Sequence, residues 1–464
     1  MKKQTGLALF IAFWSILSAL SAQNPAQSFS IEDAIKYAQE KSLSVQQSKY
    51  DFARSKEQVR EYTAIGLPKA SAKVDYNYNI NLPTQLLPDF LSPAVVGTLE
   101  AFQLVPPGTA ANLPVGEAQP IQFGTKNSLT ASFNVSTLVF DGSYFVGLKA
   151  ARGLVDMTSK QTDLSLHQIK HTVKRAYLTV LIAEENKKTL LKNVENLQKL
   201  LNETKAFKAS GLIEQLDVDR LELSLSNLQS EYEMVGRQVD LAYNVLKFQM
   251  TFPLEDQIAL SDSLNTLLEE PSDEELNGAV SVDKRIEVQI MKQSEYLNEL
   301  NVKRYKMGYA PSLNAFFTHQ YQIQRNNLFD SDESGFFPIS IVGASLLVPI
   351  FDGFDKSAKI KMAEIDRKKI SLQIKQFELA INLEVENARV AYKNAKQRLE
   401  NQRKNLELAE RILNTTKIKY REGIGSSMEI TNAEQELYRT QANLMNALYD
   451  AAVAKADLDK SLGK

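Results

Sequence analysis

Residues 221–246 read LELSLSNLQSEYEMVGRQVDLAYNVL and carry the strongest structural signal in the chain. Their apolar positions step alternately by four and three residues, through Leu221, Leu225, Leu228, Tyr232, Val235, Val239, Ala242 and Leu246. A spacing that averages 3.5 residues favours a helix that supercoils left-handedly against a neighbouring helix. The stretch therefore predicts part of a long coiled coil.

Two much longer segments contain no helix-breaking residue. Neither glycine nor proline occurs in residues 154–210 or 354–422, which are 57 and 69 residues long. As continuous helices they would reach about 85 and 105 Å, whereas helices of globular proteins average about 11–12 residues. Helices of this length cannot bury an apolar seam on a compact core. They indicate an extended helical assembly with lateral neighbours.

The chain also contains an internal repeat. Adding 212 to each heptad position gives Ala433, Leu437, Thr440, Leu444, Ala447, Ala451, Ala454 and Leu458. The same shift carries Gly211 onto Gly423, and a shift of 211 carries the Phe-Asp-Gly at 140–142 onto that at 351–353. We therefore predict two structural repeats, 23–255 and 272–464, joined by an equatorial connector at 256–271.

Each repeat contains two segments in which apolar and polar residues alternate. The predicted strands cover about 71–82, 127–139, 312–325 and 339–350. Their lengths are close to the roughly 9–11 residues with which a tilted strand crosses a bilayer, and one apolar face with one polar face suits a barrel with a wet lumen. Single-chain bacterial barrels begin at about eight strands, so four strands require further copies. Two chains would supply eight strands and three would supply twelve.

Composition argues against several classes of protein. Lys and Arg number 54 against 56 Asp and Glu, so the net charge of −2 gives no bulk reason to bind nucleic acid. The absence of cysteine excludes disulfides, thiol nucleophiles and an N-terminal lipid-modified cysteine. No catalytic constellation or phosphate-binding loop stands out, so we expect no enzyme and no cofactor. His167 and His171 have a spacing that can bind metal, but we expect a solvated pair and no metal site.

The N-terminus has the pattern of an export signal. Two lysines precede an apolar run at 6–20, and the small residues Ser21 and Ala22 follow it, which predicts a signal peptide at 1–22 cleaved near Ser21 or Ala22. A membrane helix is the alternative, although a span needs about 20 apolar residues. Seven of the fourteen prolines fall at 83–126. This loop is equally consistent with an extracellular segment and with a floppy linker.

The order of these features resembles the TolC-like outer-membrane efflux proteins, the outer-membrane factors of tripartite efflux or type I secretion systems. Helix, strand, loop, strand, Phe-Asp-Gly, long helix, glycine turn and helix occur twice within about 30–462. The segment VPIFDG at 348–353 and the turn from Gly211 to Val218 resemble the commonest local motifs of the family. The resemblance implies a mainly α fold with membrane β-structure. It also implies that three chains would share a 12-stranded outer-membrane β-barrel, four strands per chain, continued by a long periplasmic α-helical barrel.

The resemblance also implies a function and partners. The homotrimer would be a passive exit duct of a tripartite efflux pump, in the cell outer membrane and extending into the periplasm, that exports small molecules. Its partners would be outer-membrane lipid, a periplasmic adaptor (membrane fusion) protein and an inner-membrane pump of the resistance-nodulation-division or ABC type. A type I protein secretion duct is the alternative within the family. A periplasmic coiled-coil scaffold or adaptor is the alternative from another class, but it gives no reason for the four strands.

The resemblance further implies a periplasmic entrance at two helical turns, Lys208–Val218 and Tyr420–Asn432. The candidate gate residues are an acidic latch, an aperture aromatic and two ring positions, namely Asp217, Tyr420, Glu429 and Asn432. The turns that would meet the adaptor contain Gly211, Leu212, Gly423, Ile424 and Gly425. Two positions depart from the family: some members have an arginine where this chain has Gly425, and a second acidic position falls on Asn432.

Two of these acids have simpler explanations. Three Glu429 carboxylates, one per chain, would form a cation-selective ring. Alternatively, Ser426-x-x-Glu429 is a capping box, in which the glutamate reaches back to the helix start. Asp217 is either a latch between helices or a solvated acid that the helix dipole favours. Gly211 and Gly423 are expected to be helix C-terminal glycines.

Overall fold

The computed structural model describes residues 27–87, 91–112, 118–211, 213–263, 271–279, 281–327, 329 and 336–464. The predicted signal peptide and Leu212 lie outside the described residues. The chain divides into two compact units. The helical unit is formed by the described parts of Met1–Glu57, Arg152–Glu299 and Glu364–Lys464, and the sheet unit by those of Gln58–Ala151 and Leu300–Ala363. Both units therefore draw on both predicted repeats.

Helices account for most of the described chain. They are α1 (Ile31–Lys41), α2 (Leu43–Ile65), α3 (Leu91–Ala101), α4 (Gly142–Ala209), α5 (Gln215–Met250), α6 (Asp273–Asn277), α7 (Ile286–Met307), α8 (Asp355–Arg421) and α9 (Ser427–Ser461), with a 3₁₀ turn at Val282–Lys284. The two segments without helix breakers form single helices, α4 of 68 residues and α8 of 67. None of the described helices is both long and apolar enough to cross a membrane.

The heptad residues form the seams of two helical hairpins. In the first hairpin, Leu221, Leu225 and Leu228 of α5 are buried against leucines of α4, among them Leu197 and Leu201. In the second hairpin, buried α8 residues pack on α9 at the positions that the 212-residue shift predicts, including Leu437 and Leu444. Each fully buried leucine stabilises the fold by about 1.5–3 kcal/mol.

The connector after α5 is held by a small parallel sheet and by buried polar groups. Strand β1 (Gln27–Phe29) pairs with β6 (Ile258–Leu260). The Tyr177 hydroxyl donates to the Phe29 carbonyl at 2.9 Å, and burial raises the pKa of Tyr177 to about 12. Farther along, the buried Arg389 donates to the backbone carbonyls of Glu275 and Gly278 at 3.1 and 2.6 Å. These contacts fix α6 on the long helix α8.

The sheet unit contains one four-stranded antiparallel sheet in the order β2, β5, β7, β8. Its strands are β2 (Lys69–Tyr78), β5 (Asn127–Phe140), β7 (Ser312–Arg325) and β8 (Phe336–Leu347). A separate hairpin, β3 (Thr84–Leu87) with β4 (Gln119–Gln122), lies within the long loop. Strand β8 begins and ends three residues earlier than 339–350. It ends before Pro349, which has no N–H to donate to the ladder.

The register aligns apolar side chains across the sheet on one face. Val74 pairs with Ala131, which pairs with Tyr321, and farther along Val135 pairs with Phe317 and Phe317 with Val342. The opposite face of the three strands β2, β5 and β7 is mainly polar, with serine, threonine, asparagine and glutamine, and it also carries Lys73, Asp75 and Phe316. Val74 and Val342 are 69% and 84% exposed. This apolar face therefore has no cover within the described chain.

Candidate entrance at the paired helical turns

Two tight turns end the helical hairpins, one between α4 and α5 and one between α8 and α9; we call them the paired turns. The backbone of Gly211 and of Gly423 is left-handed, with φ of 75° and 77°, a conformation that costs residues with a Cβ. In the second turn the Gly423 N–H donates to the Tyr420 carbonyl and the Ile424 N–H to the Lys419 carbonyl, both at 3.0 Å. This is a Schellman motif, so Gly423 ends α8 as predicted.

Gly425 of the second turn, where some members of the family have an arginine, has little room for a side chain. A Cβ on Gly425 would lie 3.1 Å from the backbone nitrogen of Tyr420. A larger residue therefore fits there only if the turn shifts. Ile424, by contrast, is 77% exposed, so an apolar side chain stands outward at the end of this hairpin. Contact of these turns with an adaptor stays a prediction, and Leu212 lies outside the described residues.

Asp217 joins the two hairpins within one chain. Its carboxylate accepts a hydrogen bond from the Ser427 hydroxyl, and the guanidinium of Arg220 lies 4.0 Å away. Ser427 is buried and is the first residue of α9, whereas Asp217 belongs to the first turn of α5. Asp217 thus ties the beginnings of the two returning helices together. Whether this contact between helices acts as a latch that closes an entrance stays a prediction.

Tyr420 is buried in the apolar cluster of the first hairpin. Its ring packs with residues that include Leu197, Leu201 and Val218. Burial raises the pKa of Tyr420, and the charge of Asp217 acts in the same direction. The hydroxyls of Tyr420 and Thr204 are both buried with no hydrogen-bond partner among the described residues. The Thr204 hydroxyl lies beside that of Tyr420 and opposes the rise in its pKa.

Glu429 and Asn432 are exposed on the first turns of α9. The Ser426 hydroxyl accepts from the Glu429 N–H at 3.3 Å, so serine caps the helix. Only this half of the capping box is formed, whereas α1 and α6 each contain both halves. The Glu429 carboxylate has no hydrogen-bond partner among the described residues. The serine caps the helix without using the Glu429 carboxylate. That this carboxylate forms part of a ring at the entrance stays a prediction.

An ion pair that sequence reasoning missed occurs twice near the paired turns. Lys205 lies 2.6 Å from Glu222, with both side chains about half exposed. Lys417 lies 3.4 Å from Glu434, whose side chain is only 3% exposed. Burial raises the pKa of Glu434, against the effect of Lys417, and its second carboxylate oxygen has no hydrogen-bond partner in the described part of the chain. The 212-residue shift relates the two pairs and could have revealed them.

A second missed contact bridges the hairpins on their exposed side. The Arg421 guanidinium donates to both carboxylate oxygens of Glu203, at 3.2 and 3.0 Å. One guanidinium nitrogen therefore lies between both oxygens, and exposure keeps the contribution of the pair below about 1 kcal/mol. It joins the end of α8 to the end of α4.

The prediction of a solvated histidine pair is wrong for His171. Its Nε2 lies 2.9 Å from Asp457 and its side chain is only 13% exposed, because α9 packs over it. Burial lowers the pKa of His171, although Asp457 opposes the shift. His167 is exposed. Within the described ranges, no group of three or more His, Asp or Glu side chains could hold a metal ion.

Comparison with known proteins supports the resemblance. Residues 299–464 match the family model described as outer membrane efflux protein. A search of curated proteins found no match. Among solved structures, CusC has a TM-score of 0.72 at 14% identity, covering 96% of this chain and 95% of that one. The open state of the Neisseria gonorrhoeae MtrE outer membrane channel has a TM-score of 0.69 at 15% identity, with 93% and 88% coverage.

The outer membrane protein VceC from Vibrio cholerae gives a TM-score of 0.66 at 15% identity, with 93% and 96% coverage. At such low identity the structural matches establish the fold alone. They confirm the predicted architecture, a mainly helical chain that carries membrane-type strands. With the family model they also confirm the resemblance to TolC-like outer-membrane efflux proteins.

Proposed function

We propose that this chain, whose residues 299–464 match the outer membrane efflux protein family, forms the outer-membrane exit duct of an efflux pump. The observation that carries this proposal is the four-stranded sheet with an uncovered apolar face. In lipid, backbone groups at an open sheet edge have no water to bond, so open sheets are not stable there. A membrane location thus requires that the sheet be closed by other copies of the chain.

The two edge strands of the sheet are compatible with closure by three copies. Each of the outer strands, β2 and β8, bonds to only one neighbour among the described strands. Strand β2 has 10 residues and β8 has 12, so the β8 edge of one copy matches the β2 edge of the next in length. Three copies give twelve strands, which leave room for an aqueous lumen, whereas two copies give eight and a filled interior.

The helical hairpins offer a second lateral surface. Leu372 and Leu379 of α8 are 66% and 71% exposed and lie seven residues apart. Ile365 and Leu383 extend this stripe, again exposed. An apolar heptad stripe on a helix that already packs against α9 on another face favours contact with a further helix. We assign this stripe to contacts between copies in a periplasmic helical barrel.

The remaining assignments follow from this proposal. The signal peptide would direct export, the barrel would lie in the cell outer membrane, and the paired turns would meet a periplasmic adaptor. An inner-membrane pump of the resistance-nodulation-division or ABC type would supply the energy. Small molecules are the proposed cargo. Type I protein secretion remains the second candidate, because the duct architecture is common to both systems.

A conductance measurement tests this proposal. The purified protein, reconstituted in a planar lipid bilayer, should give discrete conductance steps. Val74→Asp places a charge on the apolar face of every copy and should strongly reduce insertion, since a lipid-facing carboxylate is unfavourable, although it costs less than the roughly 2–4 kcal/mol of Arg or Lys at the bilayer midplane. The control Ile424→Asp changes a similarly exposed side chain that lies in one of the paired turns and not on the sheet, and this variant should insert normally. Absence of any pore, or equal insertion by both variants, would contradict the proposal.

A further inference from the structure

A cavity of about 530 Å³ in the helical unit is lined mainly by charged side chains. It lies between α4, the 3₁₀ turn that precedes α7, and the end of α9. Its basic lining residues are Lys170, Lys174, Lys284, Arg285, Lys455, Lys460 and Lys464, and its acidic ones are Asp163, Glu275, Glu287 and Asp459. Seven positive and four negative side chains leave an excess of three positive charges, in a chain whose net charge is −2.

Part of this charge is neutralised within the cavity. Lys174 and Lys455 share Asp459, at 2.8 and 2.5 Å. The buried Arg285 binds Glu287 at 3.0 Å, and Lys464 pairs with Glu275. These pairs account for four of the seven basic side chains of the lining.

Three other lysines of the cavity lining do not belong to these pairs. Lys170 of α4, Lys284 of the 3₁₀ turn and Lys460 of α9 form no ion pair within the described ranges. They come from three different elements, yet all three line one concavity. Converging like charges raise the local potential and draw counter-ions into the cleft, more strongly than scattered surface lysines do. His167 on the same wall adds hydrogen-bonding ring nitrogens, whereas the Nε2 of His171 already contacts Asp457.

We propose that this cavity binds a multivalent anion that carries phosphate or carboxylate groups. Lysine and arginine side chains donate charge-assisted hydrogen bonds to both kinds of group. The volume falls within the roughly 300–1,000 Å³ typical of small-molecule sites. The cavity lining shares no residue with the paired turns, so the site would add a ligand to the proposed duct.

Titration calorimetry on the detergent-extracted assembly tests this site. Pyrophosphate and citrate serve as the phosphate and carboxylate probes, with chloride as the monovalent reference. We expect saturable binding of at least one multivalent probe, about one per chain. The double variant K170Q/K284Q should weaken it about tenfold, since each exposed charge pair contributes modestly. Binding of one probe and not the other identifies the group that the site accepts.

A matched control separates a site from general electrostatics. K192Q/K199Q removes the same two charges from exposed positions of α4 outside the cavity lining. This variant should bind as the unchanged protein does. Equal weakening in both double variants, or no saturable binding of either probe at millimolar concentration, would overturn the proposal. Binding by each variant can be measured whether or not the protein forms an ion-conducting pore.

Discussion

Glu434 lies 3.4 Å from Lys417 at the position that Glu222 and Lys205 occupy in the other repeat, but only the Glu434 carboxylate is buried. Duplication thus preserved an ion pair while the environment of the two copies diverged. Removing a carboxylate from water costs free energy that one lysine only partly returns. The second hairpin therefore contains a proton-sensitive group beside the paired turns, and the first contains its exposed counterpart.

The pH dependence of stability should reveal this group. Because burial raises the pKa of Glu434 above its ordinary value, the folded chain holds a proton over a pH range in which the unfolded chain has lost it. Lowering the pH through that range therefore stabilises the folded state. Lys417 is the titratable group that opposes this shift, and the charge of Glu434 in turn helps to raise the pKa of Tyr438. Thermal unfolding of Glu434→Gln should lose this acid stabilisation, whereas Glu222→Gln should keep it. Parallel pH profiles for Glu434→Gln and the unchanged protein would refute the assignment.

Ion selectivity should depend on Glu429. If three exposed carboxylates ring the entrance, Glu429→Gln should reduce the cation preference of single channels, and Asn432→Asp should increase it. We expect a change of roughly twofold near 0.1 M salt and little at 1 M, where the Debye length falls to about 3 Å. Glu410→Gln removes the same charge from an exposed position of α8, about three helical turns before the helix ends, and serves as the control. Unchanged selectivity in Glu429→Gln at low salt would exclude the ring.

The bond between Asp217 and Ser427 should hold the entrance closed. Ser427→Ala removes the hydroxyl donor and leaves the charge of Asp217 at the start of α5. A hydrogen bond to a charged group contributes about 1.5–3 kcal/mol, so its loss should raise the open probability of reconstituted channels at least several-fold. Ser230→Ala removes a hydroxyl that bonds only the backbone of its own helix, and it should have no effect. Equal gating in both variants would show that the bond is merely structural.

Docking at the second turn should depend on Ile424. Ile424→Asp places a charge on the most outward apolar side chain of that turn, where the proposed adaptor would pack. Efflux by intact cells should fall about tenfold, because a buried unpaired charge at a contact costs more than about 1.4 kcal/mol. Single-channel conductance of the purified variant should not change. Normal efflux with normal conductance would exclude this residue from docking.

Most of the secondary structure could be predicted from the sequence, because heptad and alternating patterns are local. The heptads of α5 and α9 and the strands β5 and β7 lie where their side-chain periods put them. Contacts between distant residues were not readable. His171 pairs with Asp457 across 286 positions, and nothing near either residue signals the other. The different burial of Glu222 and Glu434 likewise depends on which helices surround each hairpin. The long loop proved to contain α3 and the hairpin of β3 with β4, whose short pairing lacks a clear alternating pattern.

Electron microscopy of the protein extracted from outer membranes in mild detergent tests the central claim most directly. We expect a particle with three-fold symmetry, a detergent-covered barrel end and a helical tube well over about 100 Å long, since helices such as α4 and α8 each extend about 100 Å. A rod that is recovered without detergent and lacks a barrel end would contradict it. The four strands would then belong to a different assembly, and a periplasmic scaffold or adaptor would become the better explanation.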